Sequence, residues 1–289
     1  MPKKDIHIYL NSTGVPLAIK GSSEILENIS NHPFLKKYIP NLTLGENGKA
    51  NFELQINEEK EFTFETDKKT VAKVNGVLNK DFSITDLITI IEYCFELIRQ
   101  SSGIYCMHAS SSYYNGKAVI LMGGASGIGK SKANYLLTKN HKFTFISDEK
   151  TLIDSDLNIV GGIDKFIINK KLLLKNKGIE SSRAKRLKNN IPIGHIFQPV
   201  TTKNGELFVD EWDPNKANFH IYEEISRKIR GTSRRINNFT LPLDSIDTSE
   251  IAQKRSILSK AISEKIPCAT IYGSPEEVAK FISDKFASS

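Results

Sequence analysis

Strict alternation of apolar and polar positions marks much of the first eighty residues. Ile6, Ile8 and Leu10 recur at every second position, as do Phe52, Leu54 and Ile56, and then Phe62 and Phe64. That is the period of half-buried strands. Asn47-Gly48, the charged stretch 57–60 and Asn75-Gly76 supply turn signals between the runs. A short helical piece over 22–30 interrupts them. The pattern predicts a small strand-rich domain over 1–80, with no metal-ligand or nucleophile constellation visible in it.

Near residue 83 the period changes from two to about 3.6. Ser83 followed by Asp86 fits a capping box. Leu87, Ile91, Cys94 or Phe95, and Ile98 then recur at helical spacing, on an arc wide enough for a helix sandwiched between other elements. Two strands are predicted at 104–109 and 117–122, joined by a hairpin turn at Asn115-Gly116. A glycine-rich loop over 124–129, a helix over 130–139 and a buried strand over 143–146 follow. Further strands are expected near 151–153, 158–160, 165–168 and 194–197, and helices over 221–230 and 250–264. A strand at Cys268–Ile271 then precedes Ser274-Pro275-Glu276-Glu277, which supplies an N-cap, an N1 proline and an acidic first turn. The alternation of strands and helices predicts an α/β domain over 81–289 behind the β-rich one.

Composition narrows the class. A chain of 289 residues that is 39% hydrophobic can bury a substantial core, which excludes a wholly disordered chain. Cys94, Cys106 and Cys268 form no C-x-x-C unit, and an odd count points to a reducing, cytoplasmic setting. The start, MPKKDIHIYL, lacks the unbroken apolar run of a secretion signal. The most apolar stretch, 84–98, is interrupted by Asp86, Glu92 and Glu96 and is too short to span a bilayer. The formal net charge of +7 is uneven: residues 165–188 hold nine Lys or Arg against the single Glu180. This segment reads either as a solvated lysine-rich surface or as a face that attracts an acidic partner. No interleaved aromatics or zinc spacing accompany it, so a nucleic-acid partner is not expected.

The chemistry concentrates in one stretch. Gly124-Ala125-Ser126-Gly127-Ile128-Gly129-Lys130-Ser131 matches G-x-x-x-x-G-K-[ST] in full, between a predicted strand and a predicted helix. Glycines let successive backbone N–H groups converge on phosphate oxygens. Lys130 supplies a flexible cation, the Ser131 hydroxyl a magnesium ligand, and the helix start further N–H groups. ATP and Mg2+ are the expected cofactors. The next strand ends in Ser147-Asp148-Glu149, which delivers carboxylates to the carboxyl edge of the sheet. Two role assignments fit. In one, a carboxylate accepts the proton of an acceptor hydroxyl while the other holds magnesium. In the other, Asp148 holds the metal and Glu149 activates water.

Cys106-Met107-His108-Ala109-Ser110, the hairpin, the 124–131 loop and Ser147-Asp148-Glu149 together resemble the kinase domain of the HPr kinase/phosphorylase family. The resemblance runs over roughly 104–153. It implies a P-loop kinase domain of the HPr kinase and phosphoenolpyruvate carboxykinase type. Asp148 would be the general base, His108 would occupy the family's histidine position, and Glu149, in place of a second aspartate, would join Ser131 at the metal. The family's later arginine-glycine signature, linked to reverse phosphorolysis, is not reproduced at Gly161-Gly162-Ile163. The resemblance therefore implies a divergent relative.

Outside this stretch, His195 reads as structural. Arg227, Arg230, Arg234 and Arg235 end a predicted helix and enter a Gly/Ser/Thr loop; the cluster reads equally as charge compensation at a helix C-terminus or as a phosphate contact, with Arg230 and Arg234 the preferred members of the latter. The expected function is an ATP- and Mg2+-dependent kinase acting on a hydroxyl of a small molecule or of a protein serine, with an acidic acceptor favoured. A nucleotide-hydrolysing switch or regulatory nucleotide-binding protein is the alternative. Whether copies of the chain form a homo-oligomer stays open.

Overall fold

The computed structural model describes residues 6–45, 50–123, 127–164, 190–202, 206–230, 233–236, 239–243 and 245–287. The chain divides into two compact units, Met1–Gly103 with Ser226–Gln253, and Ile104–Ile225 with Lys254–Ser289. This division differs from the boundary expected between 80 and 81.

The first unit is built on a six-stranded mixed sheet. Its strands are β1 (Ile6–Ser12), β2 (Val15–Gly21), β3 (Leu42–Gly45), β4 (Glu53–Glu58), β5 (Thr63–Thr66) and β6 (Val71–Gly76), in the order β3-β1-β2-β4-β6-β5. Asn75-Gly76, read as a turn, ends β6 instead, and the turn signal at Asn47-Gly48 lies outside the described residues. Helices α1 (Ser23–Asn31), α2 (Pro33–Tyr38) and α3 (Ile84–Ser101) accompany the sheet.

The physical reason for the moved boundary is α3. Its reciprocal capping box at Ser83 and Asp86 is present. Its apolar residues extend around the helix and share one core with Leu17, Leu54 and Val74 of the sheet and with Ile229, Leu243, Ile246 and Ile251. A helix apolar over so wide an arc has to be covered on several sides. Two of the carboxylates that interrupt its apolar run, Glu92 and Glu96, are themselves buried: Arg99 Nη2 lies 3.0 Å from Glu92 and 3.1 Å from Glu96. Arg99 Nη1 also donates to Ser12 Oγ, and Gln100 donates to Glu96.

In the second unit the chain runs β7 (Ile104–Met107), β8 (Ala109–Tyr114), β9 (Lys117–Met122), α4 (Lys130–Asn140), β10 (Thr144–Ser147), β11 (Thr151–Asp154), β12 (Asn158–Gly162), β13 (Ile191–Thr201), β14 (Phe208–Glu211) and α5 (Pro214–Ser226). The paired strands β15 (Ser233–Ile236) and β16 (Phe239–Pro242) follow within the first unit. Then come α6 (Ser249–Lys265), β17 (Cys268–Gly273) and α7 (Pro275–Ala287). The hairpin at Asn115-Gly116 joins β8 to β9. The strand expected over 104–109 is in fact two, because β7 pairs with β11 while β8 pairs with β9. The expected strand at 165–168 lies outside the described residues.

The central strands β9, β13 and β17 are parallel. Alternate residues of β9 serve two cores, as the strand period requires. Val119 and Leu121 pack with α4 (Ala133, Leu137) and α7 (Val278, Ile282). Ala118, Ile120 and Met122 pack with α5 (Ile221, Ile225) and the later part of α6 (Leu258, Ile262). Helices on both faces of a sheet with a parallel centre form an α/β layer arrangement, and β9 and β13 end at the same edge. Among the described residues, no helix is long and apolar enough to cross a membrane.

Candidate active site

The loop after β9 and the turn after β10 belong to the second unit. Gly124, Ala125 and Ser126 lie outside the described residues. From Gly127 onward the loop's geometry is defined. Gly129 has φ +108°, and a Cβ placed on it would stand 2.3 Å from Thr201 Cγ2. Only glycine satisfies both the left-handed backbone and that approach. Thr201, at the end of β13, closes the contact by donating its backbone N–H to the Ile128 carbonyl at 3.0 Å. Helix α4 starts at Lys130, and the N–H groups of a first helical turn have no partner within their helix. Lys130 is buried, with Nζ donating to the Gly123 carbonyl at 2.9 Å.

The acidic pair follows β10. Ser131 Oγ donates to Asp148 Oδ1 at 2.8 Å, and Asp148 is 1% exposed. The chain then reverses sharply. Lys150 N–H donates to the Asp148 carbonyl at 2.8 Å across Glu149, which has φ +64°. A bond spanning two residues about a positive-φ centre is the rare, strained form of γ-turn. It separates the environments of the two carboxylates: Asp148 is buried against α4, whereas the Glu149 side chain is 37% exposed.

Residues 162 and 163 brace this turn. Asp148 N–H donates to the Ile163 carbonyl at 3.0 Å, and Ile163 N–H to the Lys150 carbonyl at 3.0 Å. A Cβ on Gly162 would meet Ser147 Cβ at 2.3 Å and the Lys150 carbonyl at 2.6 Å.

His108 occupies the break between β7 and β8. Its Nδ1 lies 3.0 Å from the Glu149 carbonyl and 3.5 Å from Glu149 Oε2. The carbonyl can only accept, so Nδ1 carries the proton toward it. The backbone N–H of His108 donates to Glu224 on α5 at 2.7 Å. Lys130, Ser131, Asp148, Glu149 and His108 are therefore linked through neighbouring loops at one sheet edge.

Arg230 and Arg234 belong to the first unit, unlike the 124–131 loop, and the Arg234 side chain lies outside the described residues. The basic segment 165–188 is also outside them. His195 is buried, its ring stacked 5.5 Å from Phe197 and tilted against Phe286 at 5.0 Å. Burial first, then Lys285 and Lys117, holds its pKa below the usual histidine value. Burial pushes the Cys94 and Cys268 thiols up to about 12, so neither supplies a thiolate nucleophile near neutral pH.

Thr201 and Glu224 join this arrangement with no expectation from the sequence, and so does Gly162 in its role as a brace of the turn. No local signal marks them. Thr201 is 73 residues from Ile128, and Glu224 is 116 residues from His108. No protein-family model matches the chain, and no curated protein does either.

Proposed function

We propose that this chain is an ATP- and Mg2+-dependent kinase that phosphorylates a hydroxyl group. The observation carrying the reading is the 2.8 Å hydrogen bond from Ser131 to Asp148 at the start of α4. It sets two hard oxygen donors side by side where the phosphate-loop sequence ends, and hard oxygens are the ligands Mg2+ takes. The residues present fit the ion and a nucleotide phosphate: a helix start whose first-turn amides have no partner within the helix, a cation at Lys130, and a carboxylate–hydroxyl pair.

The geometry favours one division of labour. Asp148 is buried and already engaged by Ser131, so this pair suits the metal better than the solvent. Glu149 projects from a strained turn, is accessible, and lies beside His108. It suits the proton-accepting role. An acceptor hydroxyl would lose its proton to Glu149 as its oxygen bonds to the terminal phosphorus and ADP departs. When bound, Mg2+ would supply charge neutralisation on the transferring phosphate. Lys130 would turn from the Gly123 carbonyl toward that charge.

The decisive assay incubates the full chain with γ-labelled ATP, Mg2+ and a metabolite mixture or lysate. Label is expected in an organic phosphate ester; label in inorganic phosphate alone would replace the kinase with a nucleotide-hydrolysing switch. Glu149→Gln should slow transfer about 10²- to 10⁴-fold while ATP binding persists. Turnover unchanged in that variant removes Glu149 from the proton-accepting role. Asp148→Asn should instead weaken Mg2+-dependent ATP binding.

A further inference from the structure

Behind the candidate site lies a buried polar network that the reading above does not use. Asn134 is three residues after Ser131 on α4, hence on the same helix face. It is fully buried, and its Nδ2 donates to Ser110 Oγ at 2.6 Å, to the Ser111 carbonyl at 3.1 Å and to the Ser147 carbonyl at 3.4 Å. Ser110 Oγ donates in turn to the same Ser147 carbonyl at 3.2 Å. Ser147 Oγ pairs with Ser111 Oγ and with Thr151 Oγ1, and Thr151 Oγ1 reaches the Ala109 carbonyl.

The Ser147 carbonyl and the Asp148 N–H belong to one rigid peptide plane. One end of that plane is held by Asn134 and Ser110, the other by the Ile163 carbonyl. The side chain of Asn134 thus ties the helix face bearing Ser131 to the peptide from which Asp148 hangs. Its own Oδ1 is buried with no hydrogen-bond partner among the described residues. An amide kept there despite an unsatisfied oxygen points to its Nδ2 bonds as the reason for its presence.

Resting on the kinase reading, we propose that Asn134 is a positioning residue that sets the separation of the Ser131 hydroxyl and the Asp148 carboxylate, and thereby the preference of the site for Mg2+ over Ca2+. Adjacent corners of a Mg2+ octahedron are about 2.9 Å apart at that ion's bond length, whereas Ca2+, with six to eight ligands, accepts a range of spacings that includes this one. The two oxygens stand 2.8 Å apart. Ca2+ tolerates irregular spacing and Mg2+ does not. Loosening the spacing therefore penalises Mg2+ selectively.

The test is calorimetric titration of the full chain with ATP in the presence of Mg2+, of Ca2+ and of neither, without any turnover readout. In the unaltered chain Mg2+ should strengthen ATP binding more than Ca2+ does. In Asn134→Ala the Mg2+ enhancement should fall about tenfold or more, the usual consequence of losing a group that orients metal ligands. The Ca2+ value should change by no more than about twofold. Ser110→Ala, which removes only a hydroxyl from the network, should shift the Mg2+/Ca2+ ratio in the same direction and decides the matter if Asn134→Ala does not fold. An unchanged ratio in a folded variant, even one with a lowered Tm, overturns the proposal while leaving the kinase reading intact. Metal-independent ATP binding by the unaltered chain overturns both.

Discussion

Gly162 shows how a single residue without a side chain shapes the candidate site. A methyl group there would enter space held by Ser147 Cβ and the Lys150 carbonyl, the two residues flanking the carboxylates. Backbone atoms cannot swing aside as a flexible side-chain tip can. Gly162→Ala is therefore expected to destabilise the chain by about 1–3 kcal/mol, as overpacking does. On the proposed kinase reading it should also weaken Mg2+-dependent ATP binding, because the turn bearing Asp148 has to move. Urea unfolding alongside ATP titration checks both; a variant with unaltered stability would mean that β12 yields freely. At this scale the sequence was informative about residue types. Lys130, Ser131, Asp148 and Glu149 announce themselves by motif and spacing. It was silent about Glu149 at φ +64°, because a strained backbone is imposed by surrounding contacts and not by glutamate.

Helix α3 carries the argument at the scale of an element. Its start was legible from Ser83 and Asp86, since a capping box is a local exchange of hydrogen bonds. Its placement was not. The carboxylates of Glu92 and Glu96 look like solvent-facing positions in the sequence, yet Arg99 turns them inward as a buried ionic cluster. Glu96→Ala should cost about 3–5 kcal/mol in urea unfolding, because it leaves Arg99 buried beside one carboxylate fewer. A loss below about 1 kcal/mol would show that Glu92 alone suffices. The same reasoning explains why 104–109 was read as one strand. The run 104–109 is apolar at nearly every position, and only the pairing of β7 with β11 and of β8 with β9 breaks it at His108.

At the scale of the whole molecule, His195 links pH to stability in the second unit. The folded structure holds its pKa below the ordinary 6.5, chiefly by burial. The unfolded chain therefore takes up a proton first as pH falls. This contribution is fully present above about pH 6.5 and is lost as pH drops from there through the lower folded value. His220, also held low by burial and then by Lys216, acts in the same direction. Unfolding free energy measured from about pH 7.5 to 5, roughly the range where histidine titrates, should decline more steeply in the unaltered chain than in His195→Phe. Equal slopes would show that the ring titrates normally.

By itself the sequence determined where α3, α4 and α7 begin, the Asn115-Gly116 hairpin, and which short stretch carries the glycine-rich loop and the acidic pair. These are readable because capping, turn formation and side-chain periodicity act between residues a few positions apart. Only the tertiary structure decided that the first unit includes α3 and the return segment 226–253, that β13 lends Thr201 to the loop, and that Asp148 faces Ser131 while Glu149 faces His108. Those outcomes depend on burying wide apolar surfaces and pairing distant backbone groups, and such contacts leave no local imprint on the residues that make them.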